Sequence, residues 1–397
     1  SRGSIANTMT VSTISHKVNV LVLMCFLFLL GSFSQNDETV NKQLLHSEVL
    51  LPFFSQLDAI SEQGKKVAIV HIGDSHIQAD FLTGEVRRRL QACFGNAGRG
   101  FVFPYRIANS GGALDVRFTH TGTWQYCSIL REYASHDIGA AGFVVTASPS
   151  SSFSIDVADR SETDARFTKV TFLDKYGSFL PSDVIGLFTQ AKENTHTTIC
   201  FDQPQERLSF KPTYEKDTTP ELQGVILENN NPGVLYHAMG INGSTVSQYL
   251  RSENFEQQIK GLNAGLVIIS FGTNDCYLPS KNFCVSCVKE DYRKLIQRLR
   301  KSNDGLPILI TTPPDHFYRR KYANKNVATL VDALKELAVE EQVAVWDLYG
   351  SMGGSRSILE WHKDGEARGD LIHFTQEGYR KQGKMLYDAL MSHYEQR

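Results

Sequence analysis

The chain has 397 residues, enough for one large domain or two of ordinary size. Its 41 lysines and arginines almost balance 43 aspartates and glutamates, so the formal net charge is −2 at pH 7. This balance argues against a protein that binds nucleic acid or acidic lipid through a broad basic surface.

The first predicted element is a targeting segment that begins at Met9. Lys17 stands in a short polar stretch, residues 18–30 are almost wholly apolar, and Ser32 and Ser34 supply the small residues that signal peptidase reads. The apolar run is shorter than the roughly 20 residues of a membrane span. We therefore predict a signal peptide over residues 9–34, cleaved rather than kept as an anchor. The protein is then exported, periplasmic or secreted, with no stable membrane span.

A parallel α/β pattern follows the targeting segment. Residues 67–72 form a nearly continuous apolar run, typical of a strand that is buried on both faces of a parallel sheet. Residues 81–93 have apolar side chains at helical spacing. We predict the first part of an α/β domain over residues 40–106.

The pattern changes over residues 107–232. Short runs rich in threonine and aromatic residues alternate in polarity, and glycine, serine, proline and aspartate separate them, as in ALDVRFTHTGTWQYCSI and RFTKVTFLDKYG. Such runs indicate an antiparallel β unit, a sandwich or a barrel. We predict that residues 107–232 form an inserted β-sandwich domain.

Strands and helices alternate again over residues 233–397. The apolar runs GVLYHAMG, GLVIISFG, PILITT and VAVWDL are each followed by a segment with helical spacing. Repeated βα units produce a parallel sheet with helices on both faces. The predicted fold is therefore α/β, a flavodoxin-like α/β/α sandwich interrupted by an antiparallel β-sandwich domain.

Polar residues with catalytic potential follow the predicted strands. In an open parallel sheet, ligands bind beyond the carboxyl ends of the strands, so we expect these segments to meet at one edge. They are Gly73-Asp74-Ser75-His76, Gly240-Ile241-Asn242-Gly243, Gly272-Thr273-Asn274-Asp275 and, in the last loop, Asp370-Leu371-Ile372-His373.

Together these segments supply the parts that acyl transfer requires. Ser75 is the candidate nucleophile, His373 the base that accepts its proton, and Asp370 the carboxylate that orients the imidazole. The backbone N–H groups of Ser75 and Gly243 and the side-chain amide of Asn274 are candidate oxyanion donors. We expect Asp74 and Asp275 to support the loops, and we expect no metal or other cofactor.

In this order, the four segments resemble the signature blocks of the SGNH (GDSL-type) hydrolases. The resemblance covers roughly residues 65–106 and 233–397, and His76 stands where the family has leucine. It implies the SGNH hydrolase fold and the roles just given for Ser75, Gly243, Asn274, Asp370 and His373.

The position of the insert narrows the resemblance. An exported SGNH hydrolase with a β domain between its first two blocks is similar to periplasmic peptidoglycan O-acetylesterases. This similarity implies that the insert is like a carbohydrate-binding module, that the partner is an acetylated glycan polymer, and that the reaction removes O-acetyl groups from muramic acid.

Simpler structural roles compete with several of these assignments. Ser75 could cap a helix, Asn274 could occupy a turn, and Gly240 competes with Gly243 as the oxyanion donor. Four further histidines near strand ends are expected to be buried, hydrogen-bonded structural residues, namely His71, His76, His237 and His316. For Cys284-x-x-Cys287, a disulfide or plain burial is favoured over a zinc site.

Other functions stay open at this point. The ester could belong to acetylated xylan, to another plant polysaccharide or to a lipid, and the acyl group could pass to a sugar hydroxyl instead of water. Asp74-x-His76 superficially resembles a motif of metal-dependent phosphoesterases, which need further histidines at strand ends. A glycan-binding protein without catalytic activity is a further alternative.

Overall fold

The structure, a computed structural model, describes residues 44–131, 136–157, 162–174, 178–193, 195–214 and 218–397. The predicted signal peptide over residues 9–34 lies outside the described residues. Within the described ranges, no helix has the length and apolar character needed to cross a membrane.

Helices form where apolar residues recur at helical spacing, and their ends carry local stop and start signals. The longest helix begins after Thr375, whose hydroxyl accepts a hydrogen bond from the Gly378 N–H at 3.2 Å. The α-helices of the described part are α1 (Leu51–Gln63), α2 (Ser75–Gln78), α3 (Phe81–Phe94), α4 (Val246–Tyr249), α5 (Phe255–Gly261), α6 (Thr273–Cys276), α7 (Val285–Ser302), α8 (Lys325–Glu341), α9 (Leu348–Met352), α10 (Ser357–Lys363) and α11 (Gln376–Glu395).

The strands fall into one mostly parallel sheet and several antiparallel ones. In the described part they are β1 (Leu44–Leu45), β2 (Lys66–Gly73), β3 (Gly100–Val102), β4 (Arg117–Thr121), β5 (Trp124–Ser128), β6 (Phe143–Ala147), β7 (Ser152–Asp156), β8 (Phe167–Leu173), β9 (Phe179–Ser182), β10 (Phe188–Lys192), β11 (Thr197–Gln205), β12 (Arg207–Pro212), β13 (Glu221–Leu222), β14 (Gly224–Glu228), β15 (Gly233–Gly240), β16 (Ala264–Ser270), β17 (Ile308–Thr311), β18 (Phe317–Tyr318), β19 (Tyr322–Ala323) and β20 (Ala344–Trp346).

The main sheet has the strand order β1-β20-β17-β16-β2-β15, and β1 is its antiparallel edge strand. The five parallel strands, numbered along the chain, therefore lie in the order 2-1-3-4-5, which is the flavodoxin-like arrangement. The predicted α/β/α class is confirmed. The chain reverses its direction of travel across the sheet at β2, and this switch point is where such sheets bind ligands.

Each face of the main sheet supports its own apolar core. In β2, Val67 and Ile69 pack with residues of α1, α3 and α11 on one face. Val70 and Ile72 pack on the other face, where α7 and α8 supply Leu295, Leu330 and their neighbours. Because both faces are covered, β2 is a continuous apolar run, which explains the pattern seen in the sequence.

The inserted region forms antiparallel sheets, as predicted. Their strand orders are β10-β11-β8-β14-β3, β4-β7-β12-β9 and β13-β6-β5. Four phenylalanines pack in their interior, with ring centroids 4.9 to 6.2 Å apart, namely Phe153, Phe172, Phe179 and Phe210. The strand β3 precedes residue 107 yet pairs with β14 of this region, because Phe101 faces Ile226 across the antiparallel ladder.

The inserted β domain and the α/β part share one apolar core rather than meeting at a thin interface. A single cluster of buried residues runs from Phe172 and Phe210 of the insert through Phe101 to Ile241 and Val246. Burial of this continuous apolar surface stabilises both parts at once. We therefore expect the two parts to unfold together.

A buried network of four charges links α3 to the insert. Arg87 and Arg99 are 3% and 4% exposed, and both contact the carboxylates of Asp80 and Asp115. Burial by itself would lower the pKa of Arg99, but the two carboxylates raise it. Removal of one partner from such a network leaves a buried charge without compensation, at a cost of about 3–5 kcal/mol.

One cysteine pair is bonded in the described part of the chain. Cys284 and Cys287 form a disulfide at the N-terminus of α7. The disulfide alternative for this motif is thus the one that the structure shows. In the same described ranges, Cys93, Cys127, Cys200 and Cys276 are free.

The buried His237 generates a test of pH-dependent stability. It is 1% exposed, neither ring nitrogen has a hydrogen-bond partner among the described residues, and burial lowers its pKa to about 4. Between about pH 6.5 and pH 4, the unfolded chain binds a proton that the folded protein does not. The free energy of unfolding therefore falls as the pH drops from about 6.5 to about 4, because protonation of His237 favours the unfolded chain.

We expect His237→Leu to remove this proton-linked loss. Relative to the wild type, the variant should gain up to about 3 kcal/mol of unfolding free energy between pH 7.5 and pH 4. Urea unfolding of both proteins at several pH values measures the difference. A constant difference across that range would contradict a depressed pKa for His237.

Candidate active site

The site begins at the tight turn that ends β2. Gly73 lies so close to β16 that a Cβ at this position would stand 2.5 Å from the carbonyl oxygen of Ser270. Asp74 then caps α2, because its Oδ1 accepts a hydrogen bond from the His76 N–H at 3.0 Å. As a result, Ser75 is the first residue of α2, at the carboxyl edge of the sheet.

The structure brings Ser75, His373 and Asp370 together although 298 positions separate the first two in the sequence. Ser75 Oγ lies 3.1 Å from His373 Nε2, and His373 Nδ1 lies 2.9 Å from Asp370 Oδ2. These distances allow a continuous hydrogen-bonded chain from hydroxyl to imidazole to carboxylate.

The loop that holds Asp370 and His373 is built around the carboxylate. Asp370 Oδ1 accepts hydrogen bonds from the N–H groups of Ile372 and His373, at 3.0 and 2.9 Å. Partial burial alone would raise the pKa of Asp370, but these bonds and the imidazole more than offset it and hold the pKa below its usual value. Leu371 has a left-handed φ of 57° in this turn, a strained conformation for a residue other than glycine. Asp370 is thus an ionised carboxylate at neutral pH.

The opposite side of the site consists of Asn274 and the loop after β15. The side-chain amide of Asn274 donates a hydrogen bond to the carbonyl of Ser244 at 3.0 Å. The same nitrogen also lies 3.5 Å from Asp74 Oδ2, at the limit of a hydrogen bond, so a ligand oxygen that accepted the second hydrogen would replace this long contact. Gly243, one residue before Ser244, is exposed. The predicted oxyanion donors therefore lie on neighbouring segments of the same sheet edge.

Gly240 and Gly243 have different surroundings, and this difference bears on their roles. Gly240 pairs with Gly73 in the sheet, and a Cβ at Gly240 would overlap the backbone nitrogen of Gln78. Gly243 has a left-handed φ of 80° and no atom within 4 Å of its Cβ position. Gly240 thus packs against α2, while Gly243 faces open space that a substrate can enter.

Two buried carboxylates lie behind the site. Asp275 Oδ1 accepts a hydrogen bond from the Val246 N–H at 3.2 Å, so Asp275 ties α6 to α4. Burial raises the pKa of Asp275 to about 6. Burial, together with the nearby Asp275 charge, raises the pKa of Asp74 to about 7. Asp74 thus bonds to the backbone of α2 and, at 3.5 Å, to the Asn274 side chain, while Asp275 bonds to the backbone of α4.

Three of the four remaining histidines are buried and hydrogen-bonded, as expected. His71 contacts Tyr236 Oη at 2.7 Å, and His316 contacts the carbonyl of Pro314 at 3.1 Å. His237 differs from the expectation, because neither of its ring nitrogens has a hydrogen-bond partner among the described residues.

His76 is the third of these histidines, and sequence reasoning missed how closely it approaches the site. Its Nδ1 lies 3.0 Å from Tyr379 Oη, and its ring centroid lies 5.5 Å from that of His373. Burial first, and then the neighbouring His373, lowers the pKa of His76, so it stays neutral beneath the imidazole. Its position directly after Ser75 was the signal that could have identified it.

The geometry of the site argues against the metal-dependent phosphoesterase alternative. Within the described ranges, no three histidine, cysteine, aspartate or glutamate side chains come together as a metal site. In Asp74-x-His76, Asp74 caps α2 and His76 contacts Tyr379. These residues are therefore not arranged as the ligands of a two-metal site.

A cavity of about 370 Å³ lies beside α2, between the α/β part and the insert. Gln78 lines it and also bridges the two parts. Its amide donates to Ser110 Oγ at 2.6 Å, and its Oε1 accepts from the Asn242 N–H at 2.6 Å. Leu114 and Phe118 of the insert line the same cavity. The insert therefore contacts helix α2 at Gln78, about one helical turn along the helix from Ser75.

Comparisons with known proteins show which kind of protein this chain resembles. Residues 212–381 match the family model of the GDSL-like lipases/acylhydrolases, a segment that contains Gly243, Asn274, Asp370 and His373 but not Ser75. The insert separates the Ser75 block from the matched segment. Over these residues the chain matches the GDSL-like lipases/acylhydrolases, and this match indicates an acylhydrolase of that type. Comparison with curated proteins finds no match.

Among solved structures, the chain is similar to a peptidoglycan O-acetylesterase with 23% identity and a TM-score of 0.74. The match covers 87% of this chain and 97% of that one. The α/β part alone is too short to account for this coverage, so the two structures share the inserted domain as well. A lipase/acylhydrolase from Enterococcus faecalis is 23% identical, with 39% of this chain and 75% of that chain covered and a TM-score of 0.32.

The two glycines give a test of the site's architecture. We expect Gly240→Ala to lower the unfolding free energy by about 3 kcal/mol or more, the upper end of the cost of overpacking, because the new methyl group overlaps the backbone of α2. Gly243→Ala should cost only about 1–2 kcal/mol, the strain of a left-handed alanine. Thermal unfolding measures both.

Gly261→Ala is the matched control, because Gly261 is in helix α5 and no atom lies within 4 Å of its Cβ position. It should leave stability unchanged or raise it slightly. Equal losses for Gly240→Ala and Gly243→Ala would show that the two glycines do not differ in the way described.

Proposed function

We propose that this acylhydrolase removes O-acetyl groups from a glycan, and that its substrate is peptidoglycan acetylated on muramic acid. The observation that carries the proposal is the hydrogen-bonded chain Ser75–His373–Asp370 at the switch point of the sheet. The fold shared with a peptidoglycan O-acetylesterase, insert included, supports this choice of substrate.

The residues have the positions that an acyl-serine mechanism needs. Ser75 Oγ attacks the acetyl carbonyl carbon while His373 Nε2 accepts the hydroxyl proton, and Asp370 stabilises the resulting imidazolium. The N–H groups of Ser75 and Gly243 and the Asn274 amide bind the oxyanion of the tetrahedral intermediate. As the intermediate collapses, the bond between the acetyl carbon and the sugar oxygen breaks, and His373 donates its proton to that oxygen, which leaves as the sugar hydroxyl.

The second half of the reaction uses the same groups. A water molecule enters where the sugar hydroxyl left, His373 accepts one of its protons, and the resulting attack on acetyl-Ser75 releases acetate. The proton returns to Ser75 Oγ, which restores the starting state. A sugar hydroxyl that replaced this water would make the protein an acetyltransferase, so the acceptor decides between the two activities.

The exposure of the site suits a polymer. The side chains of His373 and Asp370 are 36% and 42% exposed, so an ester on a chain too large to enter a closed pocket can still reach Ser75. We propose that residues 107–232 help to hold that polymer, because the insert lines the cavity next to α2.

We also propose that the protein is exported. The support is the predicted signal peptide over residues 9–34, together with the disulfide between Cys284 and Cys287, since disulfides persist in oxidising compartments. Cell fractionation, with the mature N-terminus measured by mass spectrometry, tests this. Cleavage after Ser34 is the expected result, and a cytosolic protein that keeps Met9 would contradict export.

Substitution of the nucleophile tests the mechanism. Ser75→Ala should abolish hydrolysis of p-nitrophenyl acetate and acetate release from O-acetylated peptidoglycan, because Ser75 supplies the hydroxyl that contacts His373 Nε2. Its thermal unfolding should match the wild type. Substantial turnover by Ser75→Ala would remove Ser75 from the reaction.

Asn274 tests the oxyanion site separately from the nucleophile. Asn274→Ala should lower kcat by about 10²–10³, the usual effect of losing one donor to the transition state, with a smaller change in KM. Steady-state kinetics with p-nitrophenyl acetate measure both constants. An unchanged kcat would mean that the oxyanion is bound elsewhere.

The substrate is tested by comparing acetate release from O-acetylated peptidoglycan with release from acetylated xylan. Faster release from peptidoglycan is expected. Preference for xylan would favour a plant polysaccharide deacetylase of the same fold, the second candidate substrate class.

A further inference from the structure

A short hairpin beside the active site is not used by the mechanism above. It consists of β18 and β19 and the turn between them, and we call residues 317–323 the basic hairpin. The Phe317 N–H donates to the carbonyl of Leu371 at 2.9 Å, in the loop that carries Asp370 and His373. The hairpin is therefore fixed to the loop that holds the base.

The basic hairpin is also fixed to the other side of the site. The Arg319 N–H donates to Tyr277 Oη at 3.1 Å, and Tyr277 directly follows helix α6, which carries Asn274. The basic hairpin thus spans from the loop of the base to the helix of the oxyanion donor. The hairpin therefore contacts both segments that carry predicted site residues on this side of Ser75.

The turn of the basic hairpin carries three consecutive cations, Arg319, Arg320 and Lys321, all exposed. Among the described residues none of them has an acidic group within 4 Å, whereas Arg293, Arg298 and many other cations of this protein are paired. Mutual repulsion of three adjacent positive charges opposes this arrangement. An anion bound at the turn would relieve it.

The backbone of the turn is strained at both arginines. Arg319 and Arg320 have left-handed φ values of 53° and 58°. Hairpin turns with this geometry normally use asparagine, aspartate or glycine, and each other residue there costs about 1–2 kcal/mol. Strain of this kind is found at binding sites, where the side chain itself is needed.

Tyrosines accompany the cations. The rings of Tyr277 and Tyr318 are 5.1 Å apart, the Arg319 guanidinium lies 5.2 Å from the Tyr318 ring centre, and Tyr322 is 66% exposed. A tyrosine presents an apolar face and a hydroxyl, which suits the mixed C–H and O–H surface of a sugar ring. Cations and aromatic rings therefore occur together on the basic hairpin and on Tyr277, which it contacts.

We propose that the basic hairpin binds carboxylate groups of the glycan, so that the substrate class is an acetylated glycan with carboxylates close to the acetylated sugar. This inference rests on the proposed function and deepens it. Arginine binds a carboxylate through two parallel hydrogen bonds, which gives orientation as well as attraction. Peptidoglycan carries such carboxylates on its peptides, while acetylated xylan without uronic acids does not.

The test compares a hairpin variant with a control of equal charge. The hairpin variant is Arg319→Gln/Arg320→Gln/Lys321→Gln. The control variant removes three exposed cations from the opposite edge of the main sheet and is Lys65→Gln/Lys260→Gln/Lys301→Gln, which also have no ion pair in the described part of the chain.

Three substrates are used, namely O-acetylated peptidoglycan, the same polymer with its carboxylates converted to amides, and p-nitrophenyl acetate. For the hairpin variant, the ratio of kcat/KM on peptidoglycan to kcat/KM on p-nitrophenyl acetate should fall about tenfold or more. The control variant should keep the wild-type ratio. The wild type should lose a similar factor on the amidated polymer, and added salt should weaken its preference for the carboxylated one.

Equal ratios for the hairpin and control variants, or equal wild-type rates on the carboxylated and amidated polymers, would overturn the inference. The amidated substrate requires no change to the protein, so it decides the question even if the hairpin variant folds poorly. Co-sedimentation of Ser75→Ala with the two polymers measures binding without catalysis. Absence of acetate release from peptidoglycan by the wild type would refute the proposed function, while co-sedimentation would still decide the role of the hairpin.

Discussion

The site depends on how closely β2 and β16 approach each other where β2 ends. Gly73 has no room for a side chain against the carbonyl of Ser270, and Asp74 immediately caps the next helix. The chain therefore turns within two residues, and Ser75 stands at the sheet edge with a fixed backbone. A bulkier residue at position 73 would move the turn, and the 3.1 Å contact from Ser75 to His373 would be lost.

The strand order explains why distant segments of the chain meet at this turn. In the order 2-1-3-4-5, the strand that carries Ser75 lies between the strands that precede the Gly243 and Asn274 loops. The β domain enters after the first βα unit, so it interrupts the sequence without interrupting the sheet. Its strand β3 and the buried charges of Arg87 and Arg99 then attach it firmly to the α/β part.

Much of the fold and most of the site could be predicted, for physical reasons that differ between them. Strands buried on both faces are uniform apolar runs, so the α/β pattern is readable, and the antiparallel region shows its alternation and turn residues. Ser75, Asp370 and His373 stood at segment ends with recognisable chemistry. The sequence does not reveal the surroundings of His76, because its neighbours Tyr379 and His373 are far away along the chain. The same holds for the basic hairpin, whose contacts are with Leu371 and Tyr277.

The sequence by itself determined the fold class and which side chains are chemically able to act, because periodicity and residue type are local properties of the chain. Only the tertiary structure decided how close those side chains come, which glycine faces open space, and which buried groups lack partners. Distances, burial and the resulting pKa shifts depend on the packing of strands and loops that are hundreds of residues apart. That packing is a property of the whole fold and cannot be assigned to any one segment.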